Sequence, residues 1–246
     1  MCKHPFIFYL RTFYSKIVLD LIQKESYNTN SEFFKGDIIM SKKRVGIMGG
    51  TFNPIHLGHL ILAENAYEEL QLDEVLFVPS GNPYMKEYGD VLDAKTRIDL
   101  VGEAIEDNCH FALSRLEVDR GGNSYSYETI AELKRQNPDT EYFFMVGADS
   151  LFMMDKWMCP EKIFSEVTVA VAIRGGYTDD KLEEQIKFLE EKYNTKIARL
   201  HSRSVDISST GIRDRVRQGK SIRYMVHYKT AEVIKKKRLY IPDETI

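Results

Sequence analysis

Two histidines three residues apart follow a glycine pair and a short turn in the stretch Gly49-Gly50-Thr51-Phe52-Asn53-Pro54-Ile55-His56-Leu57-Gly58-His59. Before it, Arg44 to Met48 is an apolar run that reads as a buried parallel strand; after it, Leu60 to Leu70 has the spacing of an amphipathic helix. Glycine lets a backbone approach a ligand closely, and the N–H groups at a helix N-terminus attract anions. With Gly58 and His59 opening the helix, His56 and His59 can both face whatever the turn holds and donate to phosphate oxygens. The competing reading is half of a metal site. It lacks a third ligand, because the acid close in sequence, Glu64, lies five residues beyond His59 and off its helical face.

A second group of donors lies at Ser208, Ser209 and Thr210, with Arg213 shortly after. Gly211 to Arg217 reads as helical, which puts the hydroxyls at a helix N-terminus. One hydroxyl there is an ordinary N-cap, contributing about 1 kcal/mol. Three in a row with a guanidinium exceed what a cap requires and suit triphosphate oxygens. Arg215 and Arg217 read as a solvated face of the same helix. Asp149, in Gly147-Ala148-Asp149, reads equally as an N-cap after a strand or as a ligand contact. Trp157, the sole tryptophan, reads on composition as a core residue.

Strand-like runs at Glu74 to Pro79, Phe111 to Val118, Tyr142 to Val146, Val167 to Ile173 and Ile197 to Leu200 would carry these groups. Between them fall a helix capped by Asp93 and running to Glu106, a helix from Ser126 or Tyr127 to Gln136, and a charged helix over Asp179 to Tyr193. This alternation predicts an α/β fold, a doubly wound, Rossmann-like parallel sheet with helices on both faces. Ligands of such sheets sit outside the carboxyl ends of the strands. The polar segments at Gly49 to Phe52, Pro79 to Lys86, Gly147 to Asp149 and after Leu200 each follow a strand, so all four converge on one rim.

The chain has 246 residues and a formal net charge of −3, enough for one large domain and contrary to a general nucleic-acid binder. Cys2, Cys109 and Cys159 are few and widely spaced, with no zinc or disulfide pattern, and read as buried or incidental thiols of a reducing, cytoplasmic compartment. No apolar run is long enough to cross a bilayer, so no membrane association is expected. A homo-oligomer is compatible with the sequence. Residues 1–39 differ in character from the rest: an apolar start interrupted by Arg11, an amphipathic stretch to Gln23, then polar sequence to Asp37. They read as a weakly ordered extension ahead of a catalytic domain at 40–246.

The run at 50 to 59 resembles the (H/T)xGH pattern of the nucleotidylyltransferase superfamily, and Ile207 to Arg213 resembles its ISSTxxR signature. Asn123 to Ser126, Val146 to Ser150 and Lys156-Trp157 are similar to the PSYT, G(A/Q)D and KW elements of the bacterial nicotinate-nucleotide adenylyltransferases. The likeness runs from about Lys43 to Tyr240. It departs from the family at Pro83-Tyr84-Met85-Lys86, where the lysine of the PPHK element is kept and the histidine lost, and at Met158 after the tryptophan.

The resemblance implies transfer of AMP from ATP to nicotinate mononucleotide, giving nicotinate adenine dinucleotide and pyrophosphate. It implies catalytic roles for His56, His59, Lys86 and Arg213. ATP contacts would come from Gly49, Gly50, Thr51, Phe52, Gly147, Asp149, Ser208, Ser209 and Thr210. The mononucleotide would meet Ser124, Tyr125, Ser126, Trp157 and Met158, with the nicotinate ring stacked on Trp157. Mg²⁺ is expected on phosphate oxygens and water, with no protein-held metal. The alternatives are an adenylyltransferase using nicotinamide mononucleotide or another phosphate ester, and a non-catalytic nucleotide sensor.

Overall fold

A computed structural model describes residues 42–82, 91–172, 180–201 and 205–241. Six strands form one parallel sheet: β1 (Lys43–Gly50), β2 (Glu74–Pro79), β3 (Phe111–Leu113), β4 (Thr140–Val146), β5 (Thr168–Ala172) and β6 (Ile197–Leu200). Their order is β3-β2-β1-β4-β5-β6, and every pairing is parallel. The chain thus winds outward one way from β1 and then the other way from β4. The crevice where the direction reverses lies between the carboxyl ends of β1 and β4, at Gly50 and Val146.

Nine helices are described: α1 (Leu57–Glu69), α2 (Ala94–Ile105), α3 (Leu116–Arg120), α4 (Ser126–Gln136), α5 (Ala148–Met154), α6 (Pro160–Glu166), α7 (Asp180–Tyr193), α8 (Ser209–Arg217) and α9 (Tyr228–Lys236). They cover both faces, as the strand pattern requires. Val45 and Ile47 of β1 with Tyr142, Phe144 and Val146 of β4 pack beneath α4 to α7. Met48, Phe143 and Met145 face the other way, against Ala63 and Ala66 of α1 and Val101, Ala104 and Ile105 of α2. A third cluster joins Leu100 of α2 to Ile212 of α8, to Val226 ahead of α9 and to Ile234 within α9. It holds the C-terminal helices against the face of α2 that does not meet the sheet.

The strand expected over Phe111 to Val118 ends at Leu113. Ser114 N–H still donates to Phe77 O at 2.8 Å, but its Oγ then accepts the Leu116 N–H at 3.2 Å and starts α3. The local turn that the serine side chain makes with the Leu116 N–H outcompetes the short apolar alternation. Gly49 and Gly50, expected in the turn, are the last residues of β1. Cys109 is exposed and Cys159 half-buried, and both are free thiols, within the reading of buried or incidental cysteines. The segment 1–39 and the loop carrying Lys86 lie outside the described residues. No described helix is long and apolar enough to cross a membrane.

Candidate active site

The chain leaves β1 at Gly50 and turns through Thr51 to Ile55 into α1. Phe52 adopts a left-handed backbone, φ 50°, with its ring buried at 2% exposure. That ring meets His59 edge-on at 5.1 Å and packs on Phe77 at 6.0 Å. Such a conformation costs a bulky residue energy, which the surrounding core offsets.

His56 occupies the N-cap of α1 in extended conformation. Its backbone N–H donates to His59 Nδ1 at 3.2 Å. Nδ1 of His59 is therefore an acceptor, and in the neutral ring the proton resides on Nε2. The two imidazoles stack, centroids 3.7 Å apart and planes 26° from parallel. Gly58 makes room for this pair: a Cβ there would lie 3.0 Å from His56 Nδ1 and 3.1 Å from Cε1.

Burial lowers the His56 pKa to about 4, so this imidazole is neutral at neutral pH. Its Nδ1 is buried with no hydrogen-bond partner among the described residues. That nitrogen faces the first turn of α1, over Gly58 and toward the His59 N–H of a capping box.

The second motif closes on this turn from across the fold. Ser209 Oγ donates to Pro54 O at 2.8 Å, and Arg213 Nη1 donates to Asn53 O at 3.0 Å. These bonds link positions 155 and 160 residues apart. Arg213 Nη2 also reaches Thr210 Oγ1 at 3.4 Å, while its Nε is buried without a partner among the described residues. Ser208 serves as the N-cap of α8, accepting the Gly211 N–H at 3.1 Å. Arg215 and Arg217 turn away, to Ser221 O and Asp214, as expected of a solvated face. Asn53 is fixed from behind: its Oδ1 accepts the Leu92 N–H at 3.3 Å and the Tyr240 O–H at 3.1 Å.

The remaining candidates line the same rim. Gly147 is the N-cap of α5, and a Cβ there would meet nothing within 4 Å. The capping position expected for Asp149 thus falls to Gly147, and Asp149 lies exposed in the first turn. Ser124 Oγ accepts the Gly81 N–H at 2.9 Å, and its own N–H donates to Asn82 O at 3.2 Å. Tyr125 caps α4, with Ser126 its first residue. Trp157 is half-buried, edge-on to Phe144 at 6.2 Å, and Met158 beside it is 51% exposed. Trp157 thus packs partly against the core, in line with its reading from composition. Among the described residues no three His, Cys, Asp or Glu side chains group as a metal site.

One group in this neighbourhood was not among the sequence candidates. Arg97 of α2 is 1% exposed and donates to Thr51 O and Gly81 O at 2.8 Å and to Leu92 O at 3.0 Å. Its signal in the sequence is faint: an arginine on the apolar stripe formed with Ile98, Val101 and Ile105.

The family model described as cytidylyltransferase-like matches residues 47–215, which takes in both motifs. A relative named "Probable nicotinate-nucleotide adenylyltransferase" from Clostridium acetobutylicum is 43% identical over 199 residues, 81% of this chain and all of its own length. One of the same name from Lachnoclostridium phytofermentans is 41% identical with the same coverage. The chain belongs to the nicotinate-nucleotide adenylyltransferase family. Solved structures agree on the architecture of this nicotinate-nucleotide adenylyltransferase fold. A Plasmodium falciparum nicotinic acid mononucleotide adenylyltransferase complexed with NaAD superposes with TM-score 0.66 at 20% identity, covering 80% of this chain and 97% of its own. The Vibrio parahaemolyticus member gives 0.58 at 23%, covering 82% and 97%.

Proposed function

We propose that the protein transfers AMP from ATP to nicotinate mononucleotide. The observation that carries the reading is the stacked His56–His59 pair at the start of α1, closed from the opposite side by Ser209 and Arg213. Two helix N-termini, a neutral imidazole and a fixed guanidinium together suit a polyphosphate.

The 5′-phosphate of the mononucleotide is anionic at neutral pH and attacks the α-phosphorus of ATP unaided by a base. The bond to the bridging oxygen of the β-phosphate breaks, and pyrophosphate leaves. The protein's task is positioning and charge stabilisation. His59 donates through Nε2–H, and His56 supplies a second neutral imidazole, to the phosphate oxygens on which charge develops. Arg213 and Lys86 bring full positive charges to the α-phosphate and the departing pyrophosphate. Backbone groups of Gly49, Gly50, Thr51 and Phe52 and the hydroxyl of Thr210 complete the cradle, and Gly147 and Asp149 bound the nucleoside side. Ser208 contributes as the cap of α8 and Ser209 as the clasp to Pro54.

ATP arrives as its Mg²⁺ complex. The donor set here is rich in N–H and poor in carboxylates, which fits a cation carried on phosphate oxygens and water rather than in a protein cage. On the mononucleotide side, the indole of Trp157 stacks the pyridine ring, while amides near Ser126 and Met158 read its carboxylate. Ser124 and Tyr125 set the shape of that loop. The catalytic domain is 40–246, with 1–39 taking no part, in a soluble cytoplasmic enzyme.

The test is pyrophosphate release from ATP and Mg²⁺ with nicotinate mononucleotide or nicotinamide mononucleotide. Faster turnover with the nicotinate form supports the reading; preference for nicotinamide mononucleotide reassigns the acceptor; no release with any phosphate ester replaces the enzyme with a nucleotide sensor.

A further inference from the structure

Arg97 is the largest fully buried side chain of the described residues, yet it carries a charge. Burial pulls its pKa down, but a guanidinium starts so high that it remains protonated. All three of its hydrogen bonds go to backbone carbonyls in separate segments: Leu92 ahead of α2, Thr51 after β1 and Gly81 after β2. A helix arginine at this position would ordinarily be replaced by an apolar residue, since burying a charge costs several kcal/mol unless its surroundings repay it.

The three carbonyls say what the guanidinium does. The Thr51–Phe52 and Gly81–Asn82 peptides are trans, and a trans peptide points its N–H opposite its C=O. With Thr51 O turned in toward Arg97, the Phe52 N–H is turned away from it. With Gly81 O turned in, the Asn82 N–H is turned away likewise. Thr51 and Phe52 belong to the turn that leads to His56. Gly81 and Asn82 hold Ser124 through the Gly81 N–H and Asn82 O. Gly81 runs close against the backbone at Glu117, where a Cβ would come within 2.5 Å of Glu117 O. One rigid fork therefore sets the backbone of both substrate loops at once.

We infer that Arg97 is a positioning residue that couples the ATP turn at Thr51–Phe52 to the mononucleotide loop at Gly81–Ser124, orienting the amides of both. The inference rests on the adenylyltransferase reading for its substrates, though its geometry does not. Arg97→Lys keeps the charge but places its donors on one nitrogen, which cannot span carbonyls lying in three directions.

In purified full-length protein, Arg97→Lys should raise KM for both ATP and nicotinate mononucleotide, lowering kcat/KM for each by about 10- to 100-fold. In Arg97→Ala, millimolar methylguanidinium should restore at least tenfold of the lost kcat/KM for both substrates. A merely structural role would lower kcat in proportion to the folded fraction and leave both KM values unchanged. That result, or a change in KM for one substrate alone, overturns the coupling. If the wild-type protein releases no pyrophosphate, the functional reading fails, and amide hydrogen exchange decides Arg97 without substrate. Faster exchange at the hydrogen-bonded amides of both loops, His56 and Gly81, in Arg97→Lys upholds the positioning role, and unchanged exchange at either refutes it.

Discussion

Acidification should destabilise the fold through His56, and the amount can be worked from its burial. The ring is 8% exposed, and burial lowers its pKa from 6.5 to about 4. Between those values the unfolded chain holds a proton that the folded ring refuses. Stability is therefore fully present above pH 6.5, falls as pH drops through the window, and has lost this contribution below pH 4. The linkage gives a loss of about 2 kcal/mol at pH 5 relative to pH 8, approaching about 3 kcal/mol at more acid pH. His56→Gln keeps an N–H donor and removes the titration. Urea unfolding followed by the fluorescence of Trp157 at pH 8 and pH 5 should show wild type losing about 2 kcal/mol more than the variant. Other titrating groups are common to both proteins and drop out of the difference. Equal losses in the two proteins would refute the assignment, as would an NMR titration placing the His56 midpoint near 6.5.

Three further outcomes follow from the geometry. His59→Ala should lower kcat by about 10²- to 10³-fold, as for loss of one transition-state donor, in a protein whose circular dichroism is unchanged; a folded variant with wild-type kcat removes His59 from the mechanism. Trp157→Ala should chiefly raise KM for the mononucleotide, and steady-state kinetics showing a rise for ATP alone would contradict the stacking role. Tyr240→Phe deletes the bond to Asn53 Oδ1 that backs the Arg213 contact. A cost of about 1 kcal/mol, read as a fall in Tm of about 2–4 °C, is expected; no shift would mean that the tyrosine hydroxyl adds nothing.

Much of the fold is legible in local pattern. Asp93 accepts the Thr96 N–H at 2.9 Å and starts α2 where the sequence places it. The run at Tyr142 to Val146 is a fully buried strand, and Ile197 to Leu200 is β6 as read. These elements depend on periodicity and capping within a few residues, which a single sequence displays. Short helices without a strong stripe, α3, α5 and α6, were not legible, since five to seven residues hold too little periodicity to register.

By itself the sequence determined the two donor-rich motifs, the strands that carry them and the rim on which they meet. Tertiary structure alone decided how the motifs engage. The His56 pKa falls only because its ring is buried, stacked on His59 beside a bare Gly58. Arg213 meets the turn before α1 only because Asn53 O, 160 residues away, accepts from it at 3.0 Å. Arg97, which local pattern presents as one helix charge among many, becomes the junction of three loops. Periodicity fixes which face of an element is buried, but whether a polar group there is paired, orphaned or shared depends on carbonyls contributed by distant segments, and those meet only when the sheet is assembled.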